Sequence, residues 1–234
     1  MSVNGGVRVL LFILAIALAA TAHAQSRHLA PGFTALPKGA TVAIMPADIE
    51  LFSISAGGVL EPRGDWTAAA ARNFRAALLE KHRALGLAAR EISEQESEAF
   101  AELGALHRAV ARAIGMHHFS SIVFRLPTKE KQLDWSLGPG VQAIKRATGA
   151  DYALFSWLRD SYVSDERKAV MVAAAFLGMG FGGGMQVGYA SLVDLETGRI
   201  VWFGDLFRAR GDLRDEDRAR ETLDTLLEDF PAPH

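Results

Sequence analysis

Cysteine is absent from all 234 residues. No disulfide can therefore brace the fold, no thiolate can serve as nucleophile or metal ligand, and no cysteine is present to carry a lipid anchor. Charge of one sign is missing as well: 25 Lys and Arg stand against 27 Asp and Glu, a formal net charge of −2. A chain so balanced lacks the basic face that nucleic-acid binding needs. Catalytic signatures are also wanting. There is no Gly-x-Ser-x-Gly elbow, no His-Glu-x-x-His pair and no GxxxxGK[ST] loop. Gly178-x-Gly180-x-Gly182 has phosphate-loop spacing, but neither the lysine nor a following acidic residue in a βαβ setting accompanies it.

What is present begins with a tripartite start. Met1–Arg8 carries one arginine, Val9–Ala20 is an apolar run of 12 residues, and Ala22-His23-Ala24 has the small-x-small pattern that a signal peptidase accepts. Residues 1–24 thus read as a signal peptide cut after Ala24, which sends the chain to the periplasm. The competing reading is an uncleaved anchor, but the run falls short of the roughly 20 residues that span a bilayer. Residues 25–39, with Pro31, Gly32, Pro37 and Gly39, are expected to form a flexible lead-in. Residues 40–231 are expected to be a single domain.

Periodicity then sets out the elements. Thr41–Met45 is a short buried strand stopped by Pro46. Asp65 stands as an N-cap before an amphipathic helix of Trp66, Ala69, Ala70, Phe74, Ala77 and Leu78. Leu85–Ile92 is a weak strand. A helix from Ser97 places Phe100, Leu103, Leu106, Val110, Ala113 and Ile114 on one side. Ser121–Leu126 has strand character, and Val141–Ala147 is a short helix closed by Gly149. Strands are expected at Asp151–Arg159, Val187–Leu195 and Ile200–Phe207, the last two joined by Glu196-Thr197-Gly198-Arg199. Asp212 is expected to cap a last helix ended by Pro231. Helices between the early strands and a hairpin at the end predict the α/β class: a mixed β-sheet with a C-terminal antiparallel meander, covered by helices.

One stretch stands apart. Ala169–Val193 has no charge, and its centre runs Phe176-Leu177-Gly178-Met179-Gly180-Phe181. It is either a buried helix or strand leading to a glycine-rich turn, or a surface that meets a membrane, a partner or another copy. Phe176, Leu177, Met179 and Phe181 are the candidate interaction surface. Other polar residues have bland expectations. His82 and His107 are isolated surface histidines, and His117-His118 end a helix. Asp48 and Glu50 follow the first strand, where open sheets bind ligands, yet resemble ordinary loop acids. Asp160-Ser161 and Asp165–Lys168 form a solvated turn. Trp157 alternates with Phe155 and Ala153, and Trp202 with Ile200, as sheet packing requires.

Three stretches together carry a family likeness: Thr41–Pro46, then Gly149-Ala150-Asp151-Tyr152-Ala153-Leu154-Phe155, then the hairpin Ala190–Trp202 with its Leu-x-Asp-x-x-Thr-Gly-x-x-x-Trp pattern. The chain resembles the superfamily of the curli-secretion channel lipoprotein and the penicillin-binding-protein activator lipoproteins. The resemblance implies a periplasmic α/β domain that binds other envelope proteins or itself, with no catalysis and no cofactor. The lipidated cysteine of that family is missing. Residues 164–186 fall where the curli channel inserts its membrane hairpins, but the glycines and the lack of alternation argue against barrel strands here. The leading expectation is a non-enzymatic adaptor or assembly factor. The alternatives are a membrane-associated or oligomeric structural protein acting through residues 169–184, and a hydrolase using Asp48 or Glu50.

Overall fold

The computed structural model describes residues 26–119, 124–129, 132–175, 184–209 and 211–233. The chain opens with β1 (Thr41–Ile44), β2 (Asp48–Ile54) and β3 (Leu60–Pro62), then α1 (Gly64–Ala84) and β4 (Ala88–Glu91). The short α2 (Glu94–Glu98) precedes α3 (Ala101–Ile114), which runs into a π-helical turn, Gly115–Phe119. After α4 (Gln142–Thr148) come β5 (Tyr152–Val163), α5 (Asp165–Ala175), β6 (Gln186–Asp194), β7 (Ile200–Arg208) and α6 (Glu216–Leu226). The expected class holds: a mixed sheet of seven strands with an antiparallel β5–β6–β7 meander, and helices on both faces.

The 12-residue β5 is the spine of the sheet. One of its edges pairs antiparallel with β6, and the other pairs parallel with β1 and then β2 in line. Those two strands are one extended course broken at Met45-Pro46-Ala47, because proline cannot donate to the ladder. The sequence pattern stopped at that proline and missed β2, whose Asp48 and Glu50 look like loop residues when their strand neighbours are unknown.

Alternation along the strands sorts the core into two layers. Val42, Ile44, Leu154, Leu158 and Trp202 meet Phe74 and Leu78 of α1 and Leu223 and Leu226 of α6. Ala43, Met45, Ala153, Phe155 and Phe203 meet Ala111 and Ile114 of α3 and Ile144 of α4. Ile200 lies in this second layer and Trp202 in the first, so the expected two-residue alternation fails between them. A register shift beside Leu192 and Val193 is the reason, since a bulge takes up one extra residue.

Several expected details change. Asp65 lies in the first turn of α1 rather than at its N-cap, which is Arg63 without a side-chain cap bond. Asp215, not Asp212, caps α6 by accepting from the Arg218 N–H at 3.0 Å. Asp212 makes a local turn instead, accepting from the Arg214 N–H at 3.0 Å. Residues 26–39 are no loose tether: Ala30 and Leu36 are buried, and the Ala30 N–H donates to the Val201 carbonyl of β7 at 2.9 Å. Residues 121–123, the first half of the expected strand Ser121–Leu126, and all of residues 1–24 lie outside the described residues, and Phe124–Leu126 form no strand.

The family-like stretches explain themselves locally. Gly149 takes φ 71° to end α4, and Asp151 ties down β1 through its Oδ2, which accepts from the Thr41 N–H at 3.0 Å. In the β6–β7 turn Asp194 Oδ1 accepts from the Glu196 and Thr197 N–H groups at 2.8 and 3.2 Å. Gly198 has φ 76°, and a Cβ there would lie 2.2 Å from the Gly138 carbonyl oxygen. Only glycine fits.

Candidate interaction surface

The strands β2, β5, β6 and β7 continue beyond the row that His107 of α3 covers. Register aligns this face into rows. Phe155, Ser191 and Phe203 lie side by side under the helix. The next row outward is Asp48–Trp157–Tyr189–Asp205, and the one beyond is Glu50–Arg159–Val187–Phe207. Burial falls along β7: Phe203 is 1 % exposed and Phe207 is 76 % exposed.

The covered row is locked by His107, which the sequence pattern had left at the surface. This ring is buried, stacks on Phe155 with centroids 4.3 Å apart, and shares a hydrogen bond of 2.5 Å with Ser191 Oγ. Burial, and secondarily Arg108, pushes its pKa down to about 3, so the ring is neutral. A neutral histidine with one partner thus behaves as a core residue. The buried stripe of α3 is rotated accordingly onto His107, Ala111 and Ile114, and Leu106 is left exposed.

The middle row is an aromatic and ionic cluster. Trp157 and Tyr189 stack with centroids 5.1 Å apart and planes 9° apart. The Arg159 guanidinium lies 4.6 Å over the Trp157 ring. It also meets Asp48 Oδ1 at 2.8 Å and Glu50 Oε2 at 3.3 Å, while Arg108 reaches Asp48 at 3.8 Å. Burial raises the Tyr189 hydroxyl to about 12. Both acids proposed for hydrolysis are therefore committed to arginine, side by side on a strand.

The opposite face of the same end holds a polar cleft of about 450 Å³ lined by Ser53, Trp66, Asp160, Tyr162, Gln186 and Arg214 among others. Asp160, expected in a solvated turn, is buried within β5. Its Oδ2 accepts from the Tyr162 hydroxyl and, at 2.6 Å, from Gln186 Nε2. Burial raises its pKa against those two bonds. Arg214, held by Asp212 at 2.7 Å, lies 4.4 Å over Trp66 and 3.9 Å over Tyr162. Asp160, Tyr162, Gln186 and Arg214 are each tied to a neighbour, which makes this floor a brace between β5, β6 and the segment leading into α6. Asp165–Lys168, the rest of the expected turn, opens α5.

Helix α5 leaves the end of β5, and Gly184 and Met185 lead back into β6. After Lys168 the helix has no charge, yet Val170 is 45 % and Val172 59 % exposed and only Ala174 is buried. Phe176, Leu177, Met179 and Phe181 lie outside the described residues, as does the Gly178–Gly182 run. His117 and His118 fall in the π-helical turn after α3. They bond carbonyls of other segments, those of Phe124 at 2.6 Å and Arg27 at 2.8 Å, rather than their own helix end. Among the described residues no group of three or more His, Asp or Glu is placed to hold a metal ion, and no helix is long and apolar enough to cross a membrane.

Phe207, Val187 and Trp157, which make this surface, and the buried Tyr189 stacked on Trp157 were visible in the sequence only as members of strands. No periodic signal distinguishes Phe203 from Phe207, which lie on the same face. Exposure depends on what the chain lays over each residue: Phe119, in the π-helical turn after α3, stacks on Phe203 with centroids 5.4 Å apart, and Phe207 is left exposed.

No protein-family model and no curated protein matches the chain. Among solved structures it is similar to the PelC dodecamer from Paraburkholderia phytofirmans, at 15 % identity over 86 % of this chain and 93 % of that one, with a TM-score of 0.39. It is also similar to the LpoB C-terminal domain from Escherichia coli, at 18 % identity over 77 % and 88 %, TM-score 0.31. Lipoprotein GNA1162 from Neisseria meningitidis matches at 13 % identity over 74 % and 81 %, TM-score 0.29. These likenesses are distant.

Proposed function

We infer that the chain is an exported, non-enzymatic accessory protein of the cell envelope, an adaptor or assembly factor that works by protein contact in the periplasm. The observation that supports this reading is the uncovered row Glu50–Arg159–Val187–Phe207, with Phe207 76 % exposed beside the Trp157–Arg159 pair. Aromatic and arginine side chains around an apolar centre are what protein interfaces favour. Covering one phenylalanine is worth about 2 kcal/mol.

A photo-reactive amino acid at Phe207 in intact cells tests the reading, with the exposed Lys38 as the control site. A discrete adduct with an envelope protein from position 207 and none from 38 is expected. Equal labelling from both sites, or none from either, would remove the proposal. Cell fractionation with N-terminal sequencing tests export and cleavage after Ala24.

A second reading, self-association or membrane contact through residues 169–184, is favoured by the exposed valines of α5. Liposome flotation and light scattering of the wild type against Phe176→Asp and Phe181→Asp separate the two. A monomer that never floats ends the second reading and leaves the first intact.

A further inference from the structure

Strand β7 is an edge of the sheet, and its outer side is occupied along only part of its length. The Ile200 N–H donates to the Trp135 carbonyl at 2.9 Å, and the Val201 carbonyl accepts from the Ala30 N–H at 2.9 Å. Phe203 makes two bonds with His28: its N–H donates to the His28 carbonyl at 2.9 Å, and its carbonyl accepts from His28 Nδ1 at 2.8 Å. Residues 28–30 thus run antiparallel beside β7, with Leu29 opposite Trp202. Main-chain groups along a strand point alternately to its two sides, so Asp205 and Phe207 face outward as Phe203 does. Parity across β6 agrees. The Met185 carbonyl accepts from the Ser161 N–H of β5 at 3.1 Å, so Val187 and Tyr189, opposite Phe207 and Asp205, also turn toward β5. Among the described residues no other segment bonds the N–H or carbonyl of Asp205 or Phe207.

The other edges are blunted, as sheets commonly do with short strands, proline and charge. Strand β3 is three residues long and ends in Pro62. On β4, Arg90 hooks onto the Ala147 and Thr148 carbonyls, and Glu91 is clasped by Arg75. The outer end of β7 is less protected. Arg208 turns to the opposite face, bonding Gln186 at 2.8 Å and Thr222 at 2.5 Å, and Asp205 meets only Arg27, at 3.9 Å. Phe207 stands there 76 % exposed, at the end of the uncovered row.

Donors and acceptors repeating about every 7 Å beside an exposed ring match another main chain in extended form. A helix satisfies its own main-chain groups and offers no such row. We propose that the Asp205–Phe207 edge takes a short extended segment of another polypeptide as an added strand, laid end to end with residues 28–30 and setting an apolar side chain against Phe207. Residues 28–30, seated on the same edge, show how such a segment fits. This rests on the protein-contact reading and states how the partner is held.

Hydrogen exchange of the full chain, resolved by NMR, is the first test. The Asp205 and Phe207 amides are expected to exchange at least about a hundredfold faster than those of Gly204 and Leu206, which face β6. The second test adds the peptide acetyl-Lys-Thr-Val-Thr-Thr-Lys-amide, whose valine sits opposite Phe207 in antiparallel register. Saturable shifts and slower exchange of the two amides are expected at roughly millimolar peptide. N-methylation of the valine blocks a pairing N–H and weakens binding at least about tenfold; N-methylation of the threonine after it, whose N–H faces away, leaves binding within about twofold. Asp205→Pro removes an outward N–H without breaking the ladder to β6 and acts as the valine methylation does. Thermal melting confirms that it folds; if it does not, the methylated peptides decide. Equal protection of Asp205 and Gly204 in the chain alone, absence of saturable shifts, or equal loss from both methylations overturns the proposal. Protection that grows with chain concentration alone gives the edge to a second copy and overturns it too. Failed strand addition with a crosslink from position 207 overturns the pairing and leaves protein contact through side chains; pairing without a crosslink supports the edge and removes that reading.

Discussion

Phe203 and Phe207 belong to one strand and point to one face of the sheet, yet the first is 1 % exposed and the second 76 %. Around Phe203 the face is roofed by α3, stacked with Tyr189 at 5.7 Å, and bordered by a neutral histidine. Along the row of Phe207 the neighbours across the strands are Val187, Arg159 and Glu50. The covered end has the composition of a core and the open end that of an interface. The difference teaches that a strand's pattern reports which residues share a face, while what the rest of the chain packs over that face decides whether it is covered.

Substitutions at the two ends should separate them most sharply. Phe203→Ala is expected to cost about 3–5 kcal/mol in urea unfolding, since it leaves a cavity under α3. A cost below about 1 kcal/mol would show that the covered end is not packed as a core.

His107 extends the comparison to acid. Its pKa is depressed in the folded state, so its contribution is fully present above the ordinary value near 6.5 and is lost as pH falls toward about 3. Unfolding free energy should therefore drop by roughly 3 kcal/mol between pH 7 and pH 4 from this residue alone. His107→Gln should flatten that limb. An unchanged slope in the variant would place the acid sensitivity elsewhere.

Asp160 works in the opposite sense. Burial raises its folded pKa, so its contribution is present below the unfolded value and lost as pH rises through the folded one. Asp160→Asn is expected to gain on the wild type as pH increases, in denaturation curves taken from pH 4 to pH 8. A constant difference across that range would contradict the direction.

The open end should tolerate most. Asp48→Ala and Glu50→Ala are partly exposed partners of Arg159 and are expected to change stability by less than about 1 kcal/mol. Phe207→Ser should fall within about 0.5 kcal/mol while removing the contact surface. Retained crosslinking at Val187 in the Phe207→Ser protein would show that Phe207 is not its centre.

Local chemistry made much of the fold legible. The Asp194–Gly198 turn, the Gly149 stop and the stripe of α1 each depend on neighbours within about one or two helical turns or a single hairpin. Where a residue's role depends on something distant, the pattern misled. Asp48 and Glu50 read as loop acids because their strand exists only by pairing with β5. His107 read as surface because the Ser191 and Phe155 that receive it are 84 and 48 positions away in the chain. Asp160 read as a turn because its Gln186 partner lies across a 26-residue excursion.

The amino-acid order alone dictated the α/β class, the terminal hairpin and the two-sided patterning of the strands, because turn chemistry and hydrophobic period act over a few residues. The break at Pro46, the rows that bring Glu50, Arg159, Val187 and Phe207 together, and the outer edge of β7 were settled only when the chain closed on itself. Strand register joins residues more than a hundred positions apart, and no local interaction encodes that distance.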